Sequence, residues 1–395
     1  MSNPNDGLID TPNTGTQATQ QLDQHQVDLA IQGFERLCAQ QSRWPRFIPN
    51  GITTDISIDR LRSKRGIHSH LHSSLLPELK QQVRRITEAL DNLENWLKEP
   101  HSQLQLVLEI QPHLHRTLDE MIHAIDDIIP GNLPAPNQTN DQYFQEFKCY
   151  RLVGLDSAIR GELSCAMLEF FQRARGTIKP PKKTDHYVFP VSSHNLDYLI
   201  DAAIRWLKGS ELHIIPDLWV EATSRIDSAG EQYSNLFHPD REPPMSRPAI
   251  QLGRSILPII KLSNLFFDKL ETGGMKQKRV ALFTEMSSHQ LNFLHQSAEE
   301  LGATCMYMVS RLEEADTDPP VDTCSELVCE IKTLSELFQS YVLLAELYIA
   351  PLFPDIDGLP SQIYYRSWFI TWNSLFFTAT HNAIQAANSF AENRL

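Results

Sequence analysis

The densest group of side chains able to bind a metal or move a proton is His113, His115, Asp119, Glu120 and His123. On a helix, residues four apart share a face, so His115, Asp119 and His123 would line up. Glu120 with His123 forms the Glu-x-x-His pair by which di-iron bundles hold metal. Such a centre needs a second Glu-x-x-His and further inward-facing glutamates, and the chain has no second copy of the pair. The polar set also lies opposite Leu114, Leu118, Met121 and Ile125, on the side where an amphipathic helix meets water. A solvated helix face is therefore the expected role, with a metal-dependent enzyme as the alternative. In a second histidine-rich stretch, His68-Ser69-His70-Leu71-His72, only His68 and His72 can share a face, and no carboxylate or cysteine adjoins it.

Other catalytic fingerprints are missing from the sequence. It contains no G-x-S-x-G elbow, Walker lysine loop, G-x-G-x-x-G, H-E-x-x-H or C-x-x-C, and no cofactor is expected. Charge is more informative. With 49 acidic and 35 basic residues the net charge is −14, which disfavours a general nucleic-acid binder or a protein of anionic membranes. Local positive patches are the exception: Arg60, Arg62, Lys64 and Arg65 form one, and Arg173, Arg175, Lys179, Lys182 and Lys183 the other. The second surrounds a proline pair and is the expected docking site for an acidic protein partner. No stretch reaches the ~18 uninterrupted apolar residues of a membrane span. The N-terminus lacks the basic and apolar regions of a signal peptide. Six cysteines are too dilute for a disulfide scaffold. Cytosol or nucleus is the expected compartment.

The elements that must carry these residues are helices. Apolar rows alternate steps of three and four along Leu76–Leu97, Leu114–Ile128, Leu291–Leu312, Cys324–Leu352 and Tyr365–Phe390, with Gln111 interrupting the row before Leu114. That spacing places each row on one helical stripe and favours near-antiparallel bundle packing. Proline and glycine clusters at 130–136, 179–183, 239–248, 273–274, 318–320 and 354–360 separate the segments, and Asp141 is placed to cap the helix that follows it. The pattern predicts an all-α chain of about ten helices in two antiparallel bundles. Its expected divisions are a disordered tail (1–24), an N-terminal bundle (25–178), a Pro/Lys-rich linker (179–192) and a C-terminal bundle (193–395). The last helix, with seven aromatic residues between Tyr364 and Phe377, is expected at the centre of its bundle.

Several strings carry a resemblance. "SELHIIPDLWVEATSRIDSAGEQYSNLFHPD" (210–240), "EPPMSRPAIQLGRSILPIIKLSNLFFDKL" (242–270), "TEMSSHQLNFL" (284–294) and the 75–122 portion resemble an expanded family of rust-fungal proteins. That resemblance implies a shared helical fold and no established activity. The long-helix layout and acidic composition also resemble helical regulators of the cyclin-D-binding type, an analogy of fold. The expected function is a non-enzymatic interaction or scaffold protein with protein partners, rather than a nucleic-acid or membrane binder.

Overall fold

The structure is a computed structural model. It describes residues 14–42, 44, 57–91, 100–178, 192–238, 240, 242, 244–275, 281–317, 321–353, 355, 358 and 360–392. Among these there is no β-strand, and the all-α class holds. No helix among them is long and apolar enough to cross a membrane. Residues 1–13 of the expected tail lie outside the described set, and the first helix begins within that tail, at Thr14.

The helices are α1 (Thr14–Gln41), α2 (Ile58–Ser63), α3 (Arg65–His70), α4 (Leu76–Asp91), α5 (Pro100–Ile128), α6 (Cys149–Asp156), α7 (Ser164–Ile178) and α8 (His194–Lys208). They are followed by α9 (Glu211–Leu236), α10 (Arg247–Leu270), α11 (Ser288–Thr317), α12 (Val321–Leu344) and α13 (Ser361–Glu392). The described residues fall into two compact units, one of residues 1–133 and 153–207, the other of 134–152 and 208–395. This division differs from the expected one. Residues 134–152 group with the second unit, and α8 groups with the first, although it follows the 179–192 break. A proline-rich break interrupts a helix without specifying which neighbour the next helix joins. Here side-chain pairing contributes: Lys80 on α4 donates to Asp201 at 2.7 Å, and Arg84 Nε lies 3.0 Å from Asp197 Oδ2.

In the first unit α1 packs on α5 and α7, and α4 packs on α5. The predicted rows are the core: Leu76, Leu79, Val83, Ile86 and Leu90 are buried on α4, and Leu114, Leu118, Met121, Ile125 and Ile128 on α5. Leu93 and Leu97 lie outside the described residues. Gln111, which broke the pattern, is itself buried and donates to the Ala30 carbonyl of α1 at 2.8 Å. The approach is close enough that a Cβ on Gly33 would overlap the Gln111 amide, at 1.9 Å from its oxygen. Glycine is the residue that leaves room for this cross-helix bond.

In the second unit α9 pairs with α11, and α13 packs on α10 and α12. The α11 row from Leu291 to Leu312 is buried throughout. Phe266, Phe338, Trp372 and Phe376 form an aromatic centre, with Trp372 4.9 Å from Phe338 and Phe338 4.6 Å from Phe376 between ring centroids. Trp372 also donates to the Leu262 carbonyl at 2.9 Å, giving its indole N–H the partner that burial requires. The α12 row runs as predicted to Ala345. A π turn at Ala345–Ile349 then inserts an extra residue, so that Ile349 takes the buried position expected for Tyr348. At the end of α13, Ala387 is buried where the row predicted Ala386.

The last helix is not enclosed. Tyr365, Phe369, Trp372 and Phe376 are buried, whereas Ile363, Ile370, Leu375 and Phe377 stand in solvent.

Gly33→Ala should displace the Gln111 side chain and break its bond to α1, a loss of about 1–3 kcal/mol. Denaturant unfolding of Gly33→Ala, Gln111→Ala and the double variant measures this. The two effects should be far from additive, because the second substitution removes the group with which the new methyl collides.

Candidate functional site

The residues singled out by type and spacing are dispersed into local pairs. His115 Nδ1 lies 3.2 Å from Asp119 Oδ2, and Asp119 Oδ1 accepts a 2.6 Å bond from Gln40 on α1. His113 contacts Arg116, and the Glu120 carboxylate is 4.0 Å from the same arginine. The structure therefore brings His115 and Asp119 together without Glu120 or His113. His68 and His72 do meet, edge to face at 5.9 Å, and His68 is buried. Among the described residues no three His, Cys, Asp or Glu side chains are grouped to hold a metal ion. In the basic patch, Arg173 pairs with Glu169 one turn earlier, and Arg175 lies 3.6 Å from Glu35 on α1. Lys179, Lys182 and Lys183 lie outside the described residues.

The tightest polar arrangement is elsewhere, within the second unit, and it is organised by two buried carboxylates. Asp141 precedes the short 3₁₀ segment Gln142–Phe147. Its Oδ2 accepts from the backbone N–H of Cys149, the first residue of α6, at 2.6 Å. Its Oδ1 accepts from the N–H of Ser288, the first residue of α11, at 2.7 Å. One acid thus satisfies free N–H groups at the starts of two helices, where the helix dipoles favour negative charge. Ser288 Oγ completes the knot, donating to Asp141 at 2.8 Å and accepting from the Tyr150 N–H at 2.7 Å.

The second acid, Glu211, opens α9 and has no exposed surface. Its Oε2 accepts from Lys148 Nζ at 3.0 Å, from the Thr284 N–H at 2.8 Å and from Thr284 Oγ at 2.7 Å. Lys148, equally buried, also donates to the Thr284 carbonyl at 2.7 Å. Burial pushes the Lys148 ammonium below the usual lysine range, and the Glu211 charge and hydrogen bond oppose that shift. A lysine sealed on all sides cannot meet a substrate; its geometry makes it a staple joining segments 134–152 and 281–287 to the start of α9. Beside it Arg151 donates to the Gly209 carbonyl at 2.9 Å and lies over the Phe283 ring, 5.3 Å from its centroid.

These staples set the walls of a cleft of about 480 Å³, lined by Gln142, Tyr143, Gln145, Phe283, Thr284, Glu285 and Tyr348. Asp141 fixes the wall of Gln142, Tyr143 and Gln145, and Glu211 grips Thr284 between Phe283 and Glu285. Tyr348 accepts from Gln290 at 3.2 Å, and Gln290 in turn accepts from the Ser287 N–H. Gln145 has φ 52° and ψ −117°, the only positive φ on a non-glycine among the described residues. Such backbone strain costs about 1–3 kcal/mol and persists where surrounding contacts over-determine it.

Sequence reasoning placed Asp141 as a cap but found none of its distant partners. Lys148, Glu211, Thr284 and Ser288 carry no motif, because their pairing spans up to 147 residues of chain. The available signal was Glu211 directly after Ser210, a start-of-helix pattern.

Residues 210–385 match a domain of unknown function, DUF8721, and residues 64–208 match a second, DUF8723. The junction between the two matches falls at the boundary between α8 and α9, where the compact units also divide. No curated protein and no solved structure matches the chain.

Lys148→Met should destabilise the second unit by about 3–5 kcal/mol, since it leaves the Glu211 charge buried without its counter-ion. Lys148→Met with Glu211→Gln should lose less than Lys148→Met alone, as read by denaturant unfolding. A pH effect comes from His295, whose ring meets Tyr150 edge to face at 5.8 Å. Burial pushes this imidazole below its usual value, and Glu299 offsets part of the shift. The unfolded chain therefore binds a proton that the folded state resists, so the His295 contribution is complete above pH ~6.5 and lost as pH falls through the lowered value. Melting temperatures measured at about pH 7 and about pH 5 should fall more in the wild type than in His295→Phe.

Proposed function

We propose that this is a non-enzymatic interaction protein that docks an amphipathic helix of a partner protein on the outer face of α13. One observation carries the reading: Ile363, Ile370 and Phe377 recur every seven residues along that helix and are 55%, 62% and 66% exposed. Half-buried Ile384 continues the row. A seven-residue apolar repeat is the spacing by which one helix packs along another, and its own bundle occupies the opposite face. Leu343 and Leu347 of the α12 segment are also exposed, and Arg366 of α13 lies 3.5 Å from Glu346 between them in sequence. Isolated exposed leucines are ordinary; a regular row of large ones is the mark of a docking surface.

The partner's chemistry follows from charge. A chain of net charge −14 attracts a helix whose apolar stripe is flanked by lysine or arginine. Among the basic residues expected to dock an acidic partner, Arg173 and Arg175 have carboxylates of their own, which favours the α13 face. All six cysteines are free, which supports a reducing compartment, cytosol or nucleus.

A synthetic helical peptide with isoleucine every seventh residue and lysine flanks tests the reading by fluorescence anisotropy. Ile370→Glu with Phe377→Glu should weaken its binding at least about tenfold, while melting temperature and helicity change little, as for other solvated positions. Added salt should slow association more than dissociation. Equal binding by the wild type and the double variant would overturn the proposal, as would concentration-dependent dimerisation through this face in sedimentation, which would make a second copy its occupant.

A further inference from the structure

We infer that a second cleft, within the first unit, binds the carboxyl terminus of a peptide that ends in an apolar residue. The inference is independent of the α13 face. This cleft, of about 390 Å³, lies between α1 and α5 and falls within the size of small-ligand sites. Ala30 meets Gln111 and Gln40 meets His115, so the two helices run in the same direction along it. Arg36 and His115 therefore stand towards one end, Leu29 and Leu108 towards the other, with Gly33 and Gln111 between them.

The polar end suits a carboxylate. The Arg36 guanidinium is exposed there and no described carboxylate pairs with it, whereas Arg173 and Arg175 of the same unit have theirs. A guanidinium can hold a carboxylate by two parallel bonds. His115 keeps Nδ1 3.2 Å from Asp119 Oδ2, which leaves Nε2 as the unengaged nitrogen of a ring that lines the cleft. Asp119 itself does not line the cleft, and its other oxygen accepts from Gln40 at 2.6 Å.

Two acceptors follow along the cleft. A helix carbonyl receives the N–H of the residue four positions on, and Pro112, inside α5, has none to give the Leu108 carbonyl. Pro112 is exposed, so core packing does not account for a residue that costs the helix stability. Gln111 spends its N–H on Ala30, while its Oε1 accepts no bond from any described group and, unlike Gln40 Oε1, is not sealed. Gly33, lacking a side chain, leaves that oxygen uncovered. Two acceptors about one turn apart, beside a cationic end, call for a carboxylate with more than one N–H behind it. A fatty acid has no N–H and an acylated amino acid has one. A peptide end brings its carboxylate, successive amide N–H groups and an apolar side chain for Leu29, Leu37 and Leu108.

Titration of the full-length chain by calorimetry or NMR tests this with four probes: acetyl-Ala-Ala-Leu, its C-terminal amide, the same peptide N-methylated at leucine, and acetyl-leucine. Acetyl-Ala-Ala-Leu should bind saturably below ~1 mM, and each of the others about tenfold or more weakly. Arg36→Gln should weaken the peptide about three- to tenfold. Pro112→Ala returns an N–H to the Leu108 carbonyl, so it should raise the melting temperature and yet weaken the peptide about threefold or more. Opposite signs in the two measurements separate loss of the site from loss of the fold. Ile370→Glu with Phe377→Glu should leave peptide binding unchanged, which separates this cleft from the α13 face. Equal binding of acid and amide would overturn the carboxylate assignment, and equal binding of the N-methylated peptide the N–H assignment. Acetyl-leucine binding as tightly as the peptide would make a small acylated acid the occupant instead. Absence of saturation by acetyl-Ala-Ala-Leu, or binding undiminished in folded Arg36→Gln and Pro112→Ala, would overturn the site altogether.

Discussion

The organisation of the second unit depends on the contact between Lys148 and Glu211, two opposite charges with no access to water. Such a pair is tolerated where further hydrogen bonds offset the lost hydration, and here they gather on Glu211 Oε2. Thr284 supplies its N–H and hydroxyl to that oxygen, and its carbonyl accepts from Lys148. Three stretches of chain far apart in sequence therefore have to arrive together, and none can shift without exposing the others to an unbalanced charge. Asp141 repeats the device a short distance along the chain, tying the starts of α6 and α11 to one carboxylate. Polar staples of this type specify geometry more than they add stability, because a well-packed apolar replacement would be comparably stable. Here the specified geometry is that of the cleft walls.

Helical register is the second constraint. The core rows obey the three-four spacing over long distances, and each π turn breaks the rule by one residue. At Ala345–Ile349 the break matters, since it transfers the buried position from Tyr348 to Ile349 and leaves the tyrosine half-buried at the cleft. The strained backbone of Gln145 belongs to the same region. A strained residue and a shifted register thus both lie beside the cleft, although π turns occur elsewhere in the chain as well.

On α13 the same sequence serves two faces. Tyr365, Phe369, Trp372 and Phe376 bind it into the aromatic core, and Ile363, Ile370 and Phe377 remain outside. A composition apolar nearly all round reads as a central helix, because composition does not reveal whether a neighbour covers each side. The exposed row is a conformationally fixed surface, since the inner face of the same helix is anchored by the Trp372 bond to Leu262.

The class of the fold and most of its core were legible in the sequence. Apolar spacing is a local property, and it identified Leu291–Leu312, Leu114–Ile128 and most of Cys324–Ala345 as buried stripes. His113, Glu120 and His123 are exposed, as the apolar row opposite them implies, whereas His115 and Asp119 are half-buried where Gln40 of α1 bonds them. What only the tertiary structure decided were the assignments that depend on distant neighbours. Helix α8 groups with the first unit and pairs there with Lys80 and Arg84, Gln111 is a buried cross-helix contact, and Glu211 is a buried acid. Periodicity records which side of a helix is apolar, whereas pairing between residues 63 to 147 positions apart leaves no periodic trace. The cleft belongs to that second category, for its chemistry exists only once the buried charges have drawn its walls together.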